Sequence, residues 1–93
     1  MIFFGKLKYI FFSKKSSPFE AIKKYNKLLN SERNRYIISE FAKIKSAFKK
    51  NNDGEYVFIS LYKDLIFGVL DADNLNNGRK IILKLYADLE NNR

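Results

Sequence analysis

The chain has 93 residues, a formal net charge of +8, and neither cysteine nor histidine. These absences exclude disulfides, zinc sites made of cysteine or histidine, thiol nucleophiles and imidazole-based triads. A content of 46% hydrophobic and 30% charged residues is typical of a globular protein. We therefore predict one small domain over residues 1–93, in the cytoplasm, with no cofactor, no metal site and no catalysis of its own.

The positive charge favours anionic partners, which include nucleic acids, anionic membranes and acidic proteins. An alternative is compositional. Lysine, asparagine, isoleucine, phenylalanine and tyrosine are all frequent, as they are in proteins from AT-rich genomes. The charge by itself therefore does not choose among partners.

The first twelve residues, MIFFGKLKYIFF, are too few to span a bilayer, and Lys6 and Lys8 interrupt them. We predict no integral membrane segment here. Alternation places Phe11 on one side of a strand and Phe12 on the other. Because both sides carry aromatic residues, the strand is predicted to be central or covered on both faces.

A helix start is encoded at Ser17, Pro18 and Glu20, which fit a capping box with proline at the first helical position. We predict a helix over residues 18–29. Its buried stripe is predicted to contain the apolar residues at helical spacing, namely Phe19, Ile22, Tyr25 and Leu29.

The strongest periodic signal runs from Ser31 to Lys50. Large apolar residues recur at spacings of four, three and four, which predicts a long helix. They are Ile37, Phe41, Ile44 and Phe48. A polar line, comprising Arg35, Ser39, Lys43, Ser46 and Lys50, would face water. Because the loop before it is short, the two helices are predicted to form an antiparallel hairpin.

Residues 56–70 are rich in aromatic and β-branched types, which predicts two strands that turn at Lys63 and Asp64. In that register Tyr62 lies opposite Leu65, and the next pairs on the same face are Ser60 with Phe67 and Phe58 with Val69. Lys-Asp is a weak turn sequence, so a slip by one residue remains an alternative.

The last element, residues 79–90, fits two patterns. Alternation favours a strand, while Ile82, Leu85, Tyr86 and Leu89 also fit a helix. Basic residues at its start and acidic residues at its end oppose a helix dipole, so we favour the strand. Asn77-Gly78 is interpreted as a turn before it.

The predicted fold class is α+β, with a helical hairpin packed on one face of a mostly antiparallel sheet in the order β-α-α-β-β-β. The other face would be uncovered. Aromatic rings with lysines beside them suit single-stranded nucleic acid, because bases stack on rings and ammonium groups neutralise phosphates. The alternatives are that these rings belong to the core or to a homodimer interface.

We therefore predict a small binding protein for RNA, DNA or a ribonucleoprotein; the alternative is a protein-interaction module that docks on an acidic protein, with homodimerisation left open. The candidate binding residues are Arg35, Lys43, Lys45, Lys49, Lys50, Tyr56, Phe58, Tyr62, Arg79, Lys84 and Tyr86.

The element order, small size, basic charge and lack of histidine resemble in outline the bacterial toxins of the RelE/ParE type, which are ribosome-dependent ribonucleases or gyrase inhibitors. That family usually carries arginines in its central strands, whereas YVFISLYKDLIFGVL has none. The resemblance implies Arg79 as the only counterpart, with Lys84 and Tyr86 in acid/base or phosphate-binding roles.

Overall fold

A computed structural model describes residues 10–31, 36–40 and 44–91, which form five strands and two helices. The elements in chain order are β1 Ile10–Lys14, α1 Pro18–Leu29, β2 Ile37–Ile38, β3 Lys45–Lys50, β4 Tyr56–Tyr62, β5 Leu65–Ala72 and α2 Leu75–Asn91. The α+β class is confirmed. The order is β-α-β-β-β-β-α, so the predicted order β-α-α-β-β-β is wrong in two elements.

The sheet is antiparallel, with the strand order β1-β5-β4-β3-β2. The β4–β5 hairpin has the predicted register, in which Tyr62 lies opposite Leu65 and Phe58 opposite Val69. Lys63 takes a φ of +54° at the turn. The turn sequence is therefore weak, as predicted, but apolar pairing across β4 and β5 still determines the register.

The two helices pack on opposite faces of the sheet. On one face Tyr25 of α1 packs in a cluster with Ile59 and Ile66. On the other face Ile82 of α2 packs with Phe58, Phe67 and Val69. The predicted helical hairpin on one face is therefore wrong, and neither face of the central strands is uncovered.

Helix α1 has the predicted bounds, because Ser17 Oγ accepts a hydrogen bond from the Glu20 backbone N–H at 3.2 Å. The predicted buried stripe is confirmed at Tyr25 and at Leu29, which packs beside it, and is wrong at the other two positions. Ala21 and Tyr25 are buried, whereas Phe19 and Ile22 are exposed. The small side chain of Ala21 lets the helix approach the sheet closely, which turns the two larger residues outward.

The predicted helix over residues 31–50 is replaced by strands β2 and β3. Ile44, Ser46 and Phe48 alternate on the face that carries α2, so Ser46 is a core residue and not part of a polar line. Its buried hydroxyl donates to the Ile59 carbonyl at 3.2 Å and accepts from Ser60 Oγ at 3.0 Å. Ser46 is polar, but its hydrogen bonds allow it to lie in the core. For this reason the alternation of apolar residues that is typical of a strand was not recognisable in the sequence. Phe41 lies outside the described residues.

The β3–β4 turn uses the residues that were predicted to end the long helix. The Gly54 N–H donates to the Asn51 carbonyl, and Gly54 has a φ of +88°. Glycine adopts this left-handed conformation without strain. The turn prediction is therefore right in place, although it connects two strands.

Helix α2 spans Leu75–Asn91, so the favoured strand is wrong and the alternative helix is confirmed. Asn74 Oδ1 accepts from the Asn77 N–H at 2.9 Å, which caps the helix and places Gly78 inside it. Each mismatched charge costs about 0.3–1 kcal/mol. Full burial of a side chain such as Ile82 contributes about 1.5–3 kcal/mol, which outweighs that cost.

Strand β1 pairs only with β5 and is an edge strand of the described sheet, so the first of the two predicted alternatives, a central strand or one covered on both faces, is wrong. Phe11 packs with the α1 cluster. On the other face Phe12 stacks on Phe67, with 6.4 Å between the ring centroids. The predicted alternation is confirmed. Residues 1–9, with Lys6 and Lys8, lie outside the described residues. Neither α1 nor α2 is both long and apolar enough to cross a membrane.

Candidate nucleic-acid interface

The three described lysines of the predicted binding surface on residues 31–50, Lys45, Lys49 and Lys50, do not share one face, because they belong to strand β3. Side chains alternate along β3, so Lys45 and Lys49 lie on the α1 face and Lys50 lies on the α2 face. Arg35 and Lys43 lie outside the described residues. The structure thus separates two adjacent lysines, Lys49 and Lys50, onto opposite sides of the molecule.

The predicted aromatic surface is partly covered. Phe58 is 0% exposed beneath α2, so no base has access to its ring. This contradicts the prediction that Phe58 stacks on a ligand. Tyr56 and Tyr62 flank Phe58 on the same face and are half-buried at the edge of the α2 cluster.

Two ring contacts extend this surface from β4 onto its neighbours. Tyr56 lies edge-to-face with Phe48 of β3, at 6.2 Å between ring centroids. Tyr62 lies edge-to-face with Tyr86 of α2, at 5.3 Å. We call the four rings of Phe48, Tyr56, Tyr62 and Tyr86 the aromatic strip; each ring is half-buried and therefore keeps part of its surface in water.

A lysine lies at each end of the aromatic strip. The Lys50 ammonium is 5.9 Å from the ring centroid of Tyr56, and the Lys63 ammonium is 5.3 Å from that of Tyr62. Both distances are in the range of cation–π contacts. Tyr56 and Tyr62 are six residues apart along β4, which corresponds to about 20 Å. The two positive charges therefore lie beside two pairs of rings, which the buried Phe58 and the helix packed over it separate.

Helix α2 contributes one predicted cation to the same side. Arg79 lies seven residues before Tyr86, which is about two helical turns, so the two residues share one side of α2. Lys84 lies two residues before Tyr86 and is exposed on the outer surface of the helix, away from the rings. The structure thus places Arg79 and Tyr86 on one side of α2, about 10 Å apart along the helix, and Lys84 on another side.

One carboxylate borders the aromatic strip. Glu90 Oε2 accepts a hydrogen bond from the Tyr62 hydroxyl near the end of α2. This bond fixes the orientation of the Tyr62 ring and places a negative charge at the Lys63 end.

The buried tyrosine of the α1 face has different chemistry. Burial and the nearby Glu40 carboxylate raise the pKa of Tyr25 to about 12. Burial also raises the pKa of Tyr36, whose ring lies 5.3 Å from the Lys49 ammonium. Both phenols are therefore neutral near pH 7 and do not serve as bases. Among the residues that the structure describes, no three metal-ligating side chains lie together.

Sequence reasoning missed two residues of this site. Phe48 was assigned to a helix stripe, and Lys63 was treated only as a turn residue. A period of two through Ile44, Ser46, Phe48 and Lys50 was the signal for Phe48, but the serine obscured it. Lys63 could be assigned to this site only from its cation–π contact with Tyr62, which the structure shows.

The outline on which the toxin resemblance depended, β-α-α-β-β-β, is not the order of this fold. Arg79 and Lys84 also point to different sides of α2, so they do not converge with Tyr86 as a catalytic group would. Comparisons of the chain with family models, with curated proteins and with solved structures found no match.

Proposed function

We propose that the protein binds single-stranded nucleic acid along the aromatic strip. The observation that carries this proposal is the two pairs of half-buried rings, Phe48 with Tyr56 and Tyr62 with Tyr86, with Lys50 beside the first pair and Lys63 beside the second. The net charge of +8 adds a long-range attraction for a polyanion.

The strip offers the two contacts that sequence-tolerant binding of single strands requires. Exposed ring surface accepts bases by stacking, which contributes about 1–3 kcal/mol per base, and lysines neutralise the phosphates. The distance of about 20 Å between Tyr56 and Tyr62 corresponds to roughly 3–5 nucleotides, with α2 packed over the part of β4 between them. Duplex DNA offers no unstacked bases and is expected to bind more weakly.

Adjacent lysines provide the matched test of this interface. Lys50→Gln and Lys49→Gln remove the same charge at adjacent positions, but only Lys50 lies on the face of the aromatic strip. Binding to a fluorescein-labelled single-stranded oligonucleotide is measured by anisotropy over a range of salt concentrations. We expect Lys50→Gln to weaken binding and to reduce the salt slope by about 0.7, with Lys49→Gln closer to wild type.

The tyrosines allow the same comparison for stacking. Tyr56→Leu and Tyr36→Leu each remove a half-buried ring that lies under a lysine, on opposite faces of the sheet. We expect Tyr56→Leu to weaken binding about 5- to 10-fold, the lower end of the stacking range, because part of the ring is already covered. Equal effects of the two substitutions would contradict the assignment of the strip.

Polyglutamate distinguishes this function from docking on an acidic protein, which is the second candidate from the sequence. It carries charge but no bases, so it should compete poorly with the oligonucleotide at equal charge concentration if stacking contributes. Competition as strong as that of unlabelled oligonucleotide would favour the acidic-protein partner.

A further inference from the structure

Strand β2 ends the strand order of the described sheet, and one of its sides has no partner strand among residues 10–31, 36–40 and 44–91. Its two residues are apolar and exposed, Ile37 by 58% and Ile38 by 71%. Alternation places Ile37 on the α2 face and Ile38 on the α1 face. An edge of this kind is a template for another strand.

The hydrogen bonds of β2 show which backbone groups face outward. The Ser39 N–H donates to the Ser46 carbonyl of β3 at 2.9 Å. In an antiparallel pair the bonded residues alternate, so Ile37 and Ser39 bond to β3 and Ile38 directs its N–H and C=O to the free side. A partner at this edge must supply an acceptor and a donor at Ile38, which is what another strand offers.

The edge also lacks the residues that usually block such pairing. Residues 36–40 read YIISE, with no lysine and no proline, in a chain that has 18 lysines and arginines. The opposite edge strand, β1, ends on Lys14 and is followed by Lys15. Lysine at an edge opposes strand addition because its charge would have to be desolvated. Of the two edge strands of the described sheet, β2 is therefore the one without a lysine.

We propose that β2 pairs antiparallel with β2 of a second copy of this chain. A twofold axis normal to the sheet places Ile38 opposite Ile38 of the second copy, and each N–H of the two residues bonds to the other C=O. This register places Ile37 opposite Ser39 and Tyr36 opposite Glu40 of the second copy, and it brings no lysine of the described segment 36–40 into the contact. The product is one continuous sheet of ten strands.

The same axis keeps equivalent faces on the same side of the joined sheet. Both α2 helices and both aromatic strips then lie on one side, so the dimer presents two copies of the proposed binding surface to one ligand. That consequence rests on the proposed function, but the pairing itself does not. The short edge implies a weak dimer, at the small end of specific interfaces.

The molar mass in solution tests the pairing in the absence of nucleic acid. Sedimentation equilibrium up to ~1 mM, a range suited to a weak interface, should show a dimer that increases with protein concentration. Added salt should strengthen it, because salt screens the repulsion between two chains of +8 charge. Nucleic-acid binding has the opposite salt dependence, so failure of one proposal is distinguishable from failure of the other.

Lysine substitutions at the two edges are the matched variants. Ile38→Lys is expected to give a monomer at every concentration, whereas Ile10→Lys, at an exposed isoleucine of the β1 edge, should dimerise as wild type does. A monomeric wild type throughout the range would overturn the proposal. So would a dimer that persists in Ile38→Lys, or one that Ile10→Lys abolishes.

Amide hydrogen exchange of the wild type locates the contact without relying on any variant to fold. The Ile38 amide should exchange more slowly as the concentration rises, whereas the Ser39 amide, which already bonds to Ser46, should be protected throughout. A dimer by mass in which exchange at Ile38 is independent of concentration would overturn the pairing at β2.

Discussion

Replacing Gly78 by alanine tests the packing of α2 on the sheet. In an exposed helix interior this change stabilises a protein by about 1 kcal/mol, because glycine is the poorer helix former. Here an added Cβ would lie 2.0 Å from Phe58 Cε1 and 2.6 Å from Cδ1 and Cζ. Carbon atoms normally approach no closer than about 3.5 Å. The helix or the ring must therefore move.

The ring has little room to move, because Phe58 is fully buried between α2 and the strands. Overpacking of a core typically costs about 1–3 kcal/mol, and a contact this short belongs at the upper end. After the gain of about 1 kcal/mol in helix propensity, we expect a net loss of about 1–2 kcal/mol. For a domain of this size that is a fall in Tm of roughly 4–16 °C.

Urea unfolding followed by circular dichroism at 222 nm measures the change. Ala87→Gly, on the exposed side of the same helix, is the control and should destabilise by about 1 kcal/mol. Alanine should thus give a higher free energy of unfolding than glycine at position 87 and a lower one at position 78. Phe58→Leu removes Cε1 and Cζ, two of the three atoms that Gly78→Ala would strike, so the double variant should lose less stability than the sum of the single ones. Gly78→Ala that stabilises the protein would refute this account of the packing.

Two further predictions concern a helix cap and a buried phenol. Asn74→Ala removes the side chain that caps α2 through the Asn77 N–H and should cost about 1 kcal/mol in urea unfolding, whereas Asn76→Ala, at an exposed position, should stay within about 0.5 kcal/mol of wild type. The pKa of Tyr25, raised from 10.0 to about 12, means that the unfolded chain loses this proton first as the pH rises. The contribution to stability is therefore complete below pH 10 and is lost between pH 10 and 12, by about 2–3 kcal/mol. Tyr25→Phe should show a shallower loss of stability over that interval, and an unchanged pH profile would contradict the shift.

The local signals that the structure confirms are those that short-range chemistry determines. Ser17 and Pro18 begin α1 at the predicted residue, because capping needs only the groups within one helical turn. The register of the β4–β5 hairpin also follows from its own residues, since any slip would exchange the apolar and mixed faces of both strands.

The elements that were predicted wrongly depend on partners distant in the chain. Ser46 looked like a surface residue, but the hydroxyl of Ser60, fourteen positions later, satisfies it in the core. Gly78 looked like a turn residue, but it lies inside a helix where Phe58, twenty positions earlier, leaves no space for a Cβ. Neither partner can be inferred from local periodicity.

In the candidate site, too, some features follow from the sequence alone and others depend on the tertiary structure. The sequence alone established the positive charge and placed Tyr56 and Tyr62 on one face of β4, because alternation along a strand requires it. Tertiary structure decided the rest: α2 packs over that face and buries Phe58, and the strand geometry of β3 separates Lys49 from Lys50. The physical reason is that charge and alternation are properties of the chain, whereas accessibility depends on which element packs against which.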